Sequence, residues 1–259
     1  MGRIRVFEIS AIVVLVLALS AGPVMSEPLK TNLYGLDGLF MATGGTVIPS
    51  GQLLVGTSMV IVSDDTADGS KLPVTVTYGM TSDLEFAAAF EAYSSYDDGD
   101  TNDDTGTGDL FLSAKYALQE ETSDYPATAL GINIKLPMAD APLSSEETDI
   151  SLLAAMEMAL KSVTGILNVE YLLPGGDDEN QIKYVVGLEI PYSDTTDFSL
   201  ELIHFPLLAD ALLLRGDMLA GGATFDMGSA LNFGVAVGIG LSDDLSTDFA
   251  AMGKINFTF

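Results

Sequence analysis

The last thirteen residues of the chain, 247–259, have the sequence TDFAAMGKINFTF, and this stretch decides the fold. Every second residue from Phe249 to Phe259 is apolar or glycine, whereas most of the residues between them, including Lys254, are polar. Alternation with a period of two is typical of a β-strand with one apolar and one polar face.

The segment before it, 230–241, alternates in the same way, with Leu231 to Leu241 apolar on one face and small or polar residues on the other. Twelve such segments lie between turn residues: 52–63, 72–80, 83–94, 108–118, 126–137, 148–160, 163–173, 180–191, 196–205, 217–226, 230–241 and 247–259. Strands of about 9–11 residues with this pattern are typical of transmembrane barrels. We therefore predict an all-β, transmembrane, antiparallel up-and-down β-barrel of about 12 strands over residues 52–259. A soluble β-sandwich is the alternative, but it would not normally keep one face of every strand apolar.

The N-terminus has the features of a secretory signal peptide over residues 1–26. Arg3 and Arg5 precede the apolar run 9–21, and small or apolar residues follow at 24–26, where a signal peptidase would cut. The run is shorter than the roughly 20 residues that a spanning helix needs, so an uncleaved anchor is the less favoured alternative. Residues 27–51 are predicted to form a periplasmic lead-in, with a short strand at 36–42.

The composition limits the classes of partner. The chain has 37 acidic and 10 basic residues and a formal net charge of −27, which argues against nucleic acid because a phosphate backbone requires Lys and Arg. It contains no Cys, so it has no disulfide framework, thiolate metal site or lipoprotein anchor. After Ala21 no apolar run is long enough for a membrane helix. A hydrophobic secreted chain without such a helix can satisfy its backbone in lipid as a closed barrel.

The connections and the aromatic residues orient the predicted barrel in the bacterial outer membrane. Long connections such as 95–107 alternate with short turns such as 161–162, as expected when the turns face the periplasm and the loops face outward. Aromatic residues fall near the inferred periplasmic ends, where a girdle would meet the lipid: Tyr78, Phe86, Tyr116, Tyr125, Tyr192, Phe198, Phe225 and Phe257. Phe257 and Phe259 resemble the signal by which the barrel assembly machinery recognises a last strand.

The charged strand residues are predicted to line the lumen, because a charge facing lipid at mid-depth costs roughly 2–4 kcal/mol. They are Glu85, Glu91, Lys115, Lys135, Glu157, Glu170, Lys183, Glu189, Glu201 and Lys254. Hairpin symmetry places Glu85 opposite Lys115, Glu170 opposite Lys183, and Glu189 almost opposite Glu201. Two close carboxylates would raise one pKa or bind a cation. A salt-bridged lumen without a specific ligand is the favoured interpretation.

Two further features are candidates for chemistry. Asp98, Asp100, Asn102 and Asp104 have the alternate spacing of a Ca²⁺-binding loop, but Asp103 stands where the sharp-turn glycine belongs, so a solvated acidic loop is favoured. No other cofactor is expected. His204 is the only His, and no Ser or orienting group can be assigned to it, so we expect no enzyme.

Several short motifs resemble a family of outer-membrane transporters assigned to the meta-pathway of phenol degradation. They are YGMTSDLE at 78–85, GDLFLSAKY at 108–116, KLP at 135–137 and GIGLSDD at 238–244. The chain departs from the family's usual Thr-Gly-Asp after KLP, where it has Met138-Ala139-Asp140, and from its usual Arg at Leu84. The resemblance spans most of 45–259 and implies uptake of aromatic compounds.

The leading functional hypothesis is a passive outer-membrane channel or transporter for small, hydrophobic or aromatic solutes, with outer-membrane lipid and the assembly machinery as partners. The alternative is a non-transporting structural or surface-interaction barrel whose lumen is sealed by Glu–Lys pairs.

Overall fold

A computed structural model describes residues 29–63, 67–99, 103–176, 179–205, 216–241 and 247–259. Within these ranges the chain forms thirteen strands: β1 Leu53–Ser63, β2 Asp68–Gly79, β3 Leu84–Asp97, β4 Asp103–Gly106, β5 Leu110–Gln119, β6 Ala127–Leu136, β7 Asp149–Leu160, β8 Val163–Leu173, β9 Gln181–Ser193, β10 Thr196–Phe205, β11 Gly216–Asp226, β12 Leu231–Gly240 and β13 Phe249–Thr258. Twelve of them coincide with the predicted strands, apart from shifts of a few residues at some ends. The predicted signal peptide lies outside the described residues.

Twelve antiparallel strands close into a barrel, which confirms the predicted fold class. Each long strand pairs with the next long strand in the chain, so β3 pairs with β5, and β1 pairs with both β2 and β13. The short β4 pairs only with the end of β3. Leu53 N donates to Phe259 O at 3.1 Å, and Phe259 N donates to Leu53 O at 2.8 Å. The last residue therefore helps to close the ring, which leaves the twelve long strands without a free edge.

The barrel has two unlike ends. The proximal end carries Leu53, Thr258 and the short turns, such as Lys161–Ser162 between β7 and β8. The distal end carries the longer connections, such as 137–148 between β6 and β7. The alternation of connection lengths that the sequence showed is therefore present in the structure.

Burial alternates along the strands, as the period-two pattern requires. Large apolar side chains such as Leu130, Leu152 and Val237 project outward and are exposed, whereas their inward-facing neighbours are buried. Most of the predicted girdle residues are also exposed on the outside: Tyr78, Phe86, Tyr116, Tyr125, Tyr192, Phe198 and Phe225. In the part of the chain that the structure describes, no helix is long and apolar enough to cross a membrane.

Residues 29–48 lie inside the barrel, and we call this segment the plug. Thr31, Leu36 and Phe40 are buried, and the backbone of the plug hydrogen-bonds to inward-facing side chains of the wall. The predicted periplasmic lead-in is therefore corrected for these residues. The short strand predicted at 36–42 is also wrong, since the plug forms only the isolated bridges 31–37 and 38–43. Its backbone groups cannot remain unpaired when buried, and the charged wall supplies their partners.

Candidate functional site

All ten charged residues predicted to line the lumen bind the plug or other inward-facing side chains of the wall. Two of the predicted pairs are present, Glu85 with Lys115 and Glu170 with Lys183, but six of the ten residues also bind the plug. These six are Glu85, Lys115, Glu157, Glu189, Glu201 and Lys254. The candidate site is therefore the contact between the plug and the wall.

Glu201 on β10 holds the middle of the plug. Its carboxylate accepts backbone N–H bonds from Phe40 at 3.2 Å, from Met41 at 2.9 Å and from Ala42 at 2.8 Å. Glu201 is buried, so each of these bonds is made away from bulk water. A carboxylate that accepts several backbone bonds is a strong anchor, because charge-assisted bonds are about twice as strong as neutral ones.

Glu85 and Lys115 form the predicted cross-strand pair, and they also hold the plug. Their register is direct, and Lys115 Nζ lies 3.1 Å from Glu85 Oε1. The Glu85 carboxylate accepts from the N–H groups of Asp37 and Ile48, at 3.2 and 2.8 Å. Lys115 donates to Gly44 O at 3.2 Å and to Asp37 O at 3.4 Å. Both members of the pair are fully buried, so the ion pair and the plug depend on each other.

Two further wall residues, Asn168 and Lys254, hold the plug. Asn168 on β8 exchanges two hydrogen bonds with the backbone of Thr43, each of 2.6 Å. Lys254 on β13 donates to the carbonyls of Thr31 and Leu39, at 2.9 Å each, and lies 4.5 Å from the centre of the Phe40 ring. The cation thus contacts both the backbone of the plug and an aromatic face.

Glycines in the wall make room for this packing. A Cβ atom built on Gly222 would lie 2.6 Å from the Phe40 ring, and one built on Gly234 would lie 2.9 Å from it. These two positions therefore admit the Phe40 side chain only because they lack a side chain. A residue of the plug therefore fills the space that these wall glycines leave.

Glu170 and Lys183 form the second predicted pair, on the distal side of the plug. They are directly opposite in register and 3.0 Å apart. Asn133 and Ser151 also donate to Glu170. A cavity of about 20 Å³ lies beside this pair and Tyr34, which is room for about one water molecule. This cavity is too small for an organic solute.

A second layer of polar contacts lies nearer to the distal end. Lys71 Nζ contacts both carboxylate oxygens of Glu91, at 2.8 and 3.0 Å. Asp109, which is also buried, accepts from Met138 N at 3.0 Å and from Ser144 Oγ at 2.9 Å, so it ties the connection 137–148 to the wall. The sequence analysis missed Lys71 because it started this strand at residue 72, whereas β2 begins at Asp68.

Lys135 belongs to the same layer. It forms an ion pair with Asp149 on the neighbouring strand and a hydrogen bond with Ser145 in the connection. Lys135 and Asp149 are register partners across the β6–β7 hairpin, so hairpin symmetry could have found this pair as well.

At the proximal end the structure corrects the predicted pair of Glu189 and Glu201. Glu189 is opposite Ser199, and Glu201 is opposite Gly187. The two carboxylates have separate partners, because Glu189 pairs with Lys30 of the plug, which also binds Asp197. Burial lowers the pKa of Lys30, but the two carboxylates outweigh it and hold the pKa above its ordinary value.

Glu157 and Asp37 are close to each other near the same end. Glu157 accepts from Gly45 N at 2.9 Å, and Asp37 accepts from Thr46 Oγ1 at 2.9 Å. A Cβ atom built on Gly44 would lie 2.7 Å from a Glu157 oxygen and 3.2 Å from an Asp37 oxygen. Burial raises the pKa of Asp37 to about 7, with Glu85 and Glu157 adding to the effect and Lys115 opposing it.

The remaining two candidates lie outside the lumen site. Asp100 and Asn102 of the predicted Ca²⁺ loop fall outside the described residues, and Asp104 is exposed on β4, so that site stays a prediction. Within the described ranges no group of three or more acidic or His side chains is placed to hold a metal ion.

His204 faces outward and has a partner that sequence reasoning missed. Its Nδ1 lies 2.7 Å from Asp217 Oδ1, and its ring stacks on Tyr184 with centroids 4.7 Å apart. His204 and Asp217 are register partners across the β10–β11 hairpin, so hairpin symmetry could have found the pair. An acidic orienting group is therefore present.

Comparison with known proteins agrees with this architecture. The family model described as "Putative MetA-pathway of phenol degradation" matches residues 40–259. The chain belongs to this family. The match begins at Phe40, so it includes the part of the plug that Glu201 holds, and it confirms the resemblance found in the motifs.

Solved structures show the same fold at low identity. The COG4313 outer membrane channel from Pseudomonas putida F1 is 14% identical with a TM-score of 0.61, over 83% of this chain and 97% of that one. The KdgM porin in complex with disordered oligogalacturonate is 8% identical with a TM-score of 0.55, over 80% and 99%. The NanC porin is 12% identical with a TM-score of 0.51, over 79% and 98%. No curated protein matches the sequence. The chain thus has the fold of outer-membrane barrel proteins.

Proposed function

We propose that the protein is an outer-membrane channel for small solutes, in which the plug closes the conduction pathway. The observation that carries the proposal is that a separate segment, rather than the side chains of the wall alone, fills the lumen. A barrel of about eight strands can be filled by its own side chains, whereas barrels of 16–18 strands leave an aqueous channel. A twelve-stranded barrel lies between these sizes and needs additional material to close it.

The way in which the plug is attached supports a gate rather than a permanent core. The plug contributes no strand to the sheet, and its polar contacts with the wall are mainly hydrogen bonds and ion pairs to side chains. Such contacts can break without disrupting the backbone hydrogen bonds between the strands of the barrel. In the sealed-barrel alternative, Glu–Lys pairs alone would close the lumen. Glu85 and Lys115 instead make most of their bonds to the plug, which favours the channel.

In this proposal the proximal end faces the periplasm, the exposed apolar band contacts lipid, and the assembly machinery recognises β13 through Phe257 and Phe259. The solutes would be small hydrophobic or aromatic compounds, as the name of the family suggests. The solved relative with a TM-score of 0.61 is itself named a channel, which supports the same class of function.

A disulfide lock between the plug and the wall tests the proposal. A Cβ atom built on Gly187 would lie 3.3 Å from Ala42 Cβ, close to the range of about 3.5–4.5 Å found in disulfides. The natural chain has no Cys, so Ala42→Cys with Gly187→Cys introduces the two thiols needed and no others. We expect single-channel currents in planar bilayers and uptake of phenol into liposomes from the reduced protein, and loss of both after oxidation.

The single variants Ala42→Cys and Gly187→Cys are the controls, since neither can form the lock and both should behave alike in reducing and oxidising buffer. Absence of current and of uptake in every redox state would overturn the channel. Equal activity of the locked and reduced protein would show that solutes do not pass by displacement of the plug.

A further inference from the structure

We propose that the cavity between the plug and the wall at the proximal end binds a small organic ammonium ion with an apolar body about the size of one ring. The cavity has a volume of about 160 Å³. The plug contributes residues 29–30 and 37–39 to its lining, and the wall contributes Glu157, Ile166 and Glu189. A ligand in this position would contact the plug and the barrel at the same time.

The charged residues around the cavity favour a positively charged ligand. Among the residues that the structure describes, its lining contains three carboxylates, those of Asp37, Glu157 and Glu189, but only one cation, Lys30. Lys30 is already shared between Glu189 and Asp197. Across the described parts of the chain, no Lys or Arg forms a salt bridge with Asp37 or Glu157, and Lys115 nearby is paired with Glu85. Burial raises the pKa of Asp37 to about 7, Glu85 and Glu157 add to the effect, and Lys115 opposes it without cancelling it.

The shape of the site favours an organic ion over a metal ion. Among the described residues, no group of three or more acidic side chains is placed to hold a metal ion. The side chains of Leu29, Leu39 and Ile166 form an apolar part of the lining, which a hydrated metal ion would not use. The volume is close to that of an engineered cavity of about 150 Å³ that holds benzene.

Lys30 shows how an ammonium group is bound here. Its Nζ donates to a carboxylate oxygen of Glu189 and to one of Asp197, which lie on adjacent strands. A ligand ammonium placed between Asp37 and Glu157 would likewise donate hydrogen bonds to both carboxylates, neither of which forms a salt bridge with a Lys or Arg among the described residues. Because the ligand binds only when the plug is in place, it would stabilise the plugged state by mass action.

Calorimetric titration of the full mature chain in detergent at pH 8 and low salt tests the site, with benzylammonium as the probe. We expect a saturable heat with benzylammonium and none with benzyl alcohol or benzoate, which have the same ring without the positive charge. Glu157→Gln should weaken binding about tenfold, the usual size of one lost charge-assisted contact. Glu120→Gln is the matched control, because Glu120 is an exposed carboxylate near the same end of the barrel and outside the cavity, and it should leave binding unchanged.

A second variant guards against the possibility that Glu157→Gln simply loosens the plug. Ile166→Ala removes apolar wall and no charge, so it should weaken benzylammonium but leave methylammonium unaffected. Affinity for benzylammonium should also rise between pH 6 and pH 8 as Asp37 loses its proton, and Asp37→Asn should flatten this rise.

Equal binding of benzyl alcohol, no binding of benzylammonium, or binding of Ca²⁺ in its place would overturn the proposal. So would equal effects of Glu157→Gln and Glu120→Gln. The titration does not depend on conduction. It can therefore overturn the proposed binding site without overturning the proposed channel, and the bilayer recordings can overturn the channel without overturning the binding site.

Discussion

The substitution Glu201→Gln probes the strongest attachment of the plug. The glutamate accepts three backbone bonds, from Phe40 through one oxygen and from Met41 and Ala42 through the other. Glutamine keeps one oxygen for Met41 and Ala42, but its amide group faces the N–H of Phe40 and cannot accept from it. One charge-assisted bond is lost, and the other two become neutral. With charged bonds worth about 1.5–3 kcal/mol and neutral bonds about 0.5–1.5 kcal/mol, the attachment weakens by about 5 kcal/mol.

Hydrogen exchange measured by mass spectrometry on a peptide that covers residues 37–45 reads this change directly. A loss of about 5 kcal/mol corresponds to a roughly 4,000-fold faster exchange of the amides of Phe40, Met41 and Ala42, since about 1.4 kcal/mol is one factor of ten. Glu91→Gln is the control, because Glu91 is also a buried carboxylate of the lumen but binds Lys71 and no residue of the plug. Unchanged exchange in Glu201→Gln, or the same acceleration in the control, would refute the assignment of Glu201 as the anchor.

Four other outcomes follow from the same contacts. Because the pKa of Asp37 is raised from 3.8 to about 7, the folded protein holds a proton that the unfolded chain releases, so stability falls as pH rises from about 4 to 7. The melting temperature of Asp37→Asn should depend less on pH over this range, and parallel curves would contradict the shift. Lys115→Met leaves Glu85 buried without its cation and should cost about 3–5 kcal/mol in denaturant unfolding, part of which Glu85→Gln restores in the double variant. A double variant no more stable than Lys115→Met would show that the pair is not coupled. Phe259→Ala keeps the backbone bonds to β1, so it should refold normally in detergent, while its assembled amount in cells falls if the side chain is recognised; a normal cellular amount would exclude that role. His204→Ala should leave the lipid composition of the outer membrane unchanged relative to wild type, and a difference measured by mass spectrometry of lipids would revive an enzymatic function.

The register of the local hairpins could be predicted residue by residue. Glu85 and Lys115, and likewise Glu170 and Lys183, were placed opposite each other from the centres of their hairpins, and the structure has both pairs. The same rule placed Glu189 only almost opposite Glu201, and the structure has the two residues two positions out of register, with a bulge between Thr196 and Asp197 that shifts the pairing of β9 with β10 by one residue. A bulge adds one residue to one strand, and nothing in the alternation of the sequence marks where it falls.

The charged residues of the lumen were also found from the sequence, but their roles were not. Alternation fixes which face of a strand a side chain occupies, so Glu201 and Lys254 could be directed inward. It does not say what they meet there. Their partners are Phe40 and Thr31, which are 161 and 223 positions away in the chain.

The sequence by itself determined the barrel, the number of its strands and the inward direction of its charges, because each of these depends on period-two patterns and short turns that are local in the chain. Only the tertiary structure decided that residues 29–48 fill the lumen. This segment has no periodic pattern, and its position depends on buried backbone groups that must find partners among side chains from many strands. Those partners come together only when the barrel closes around them.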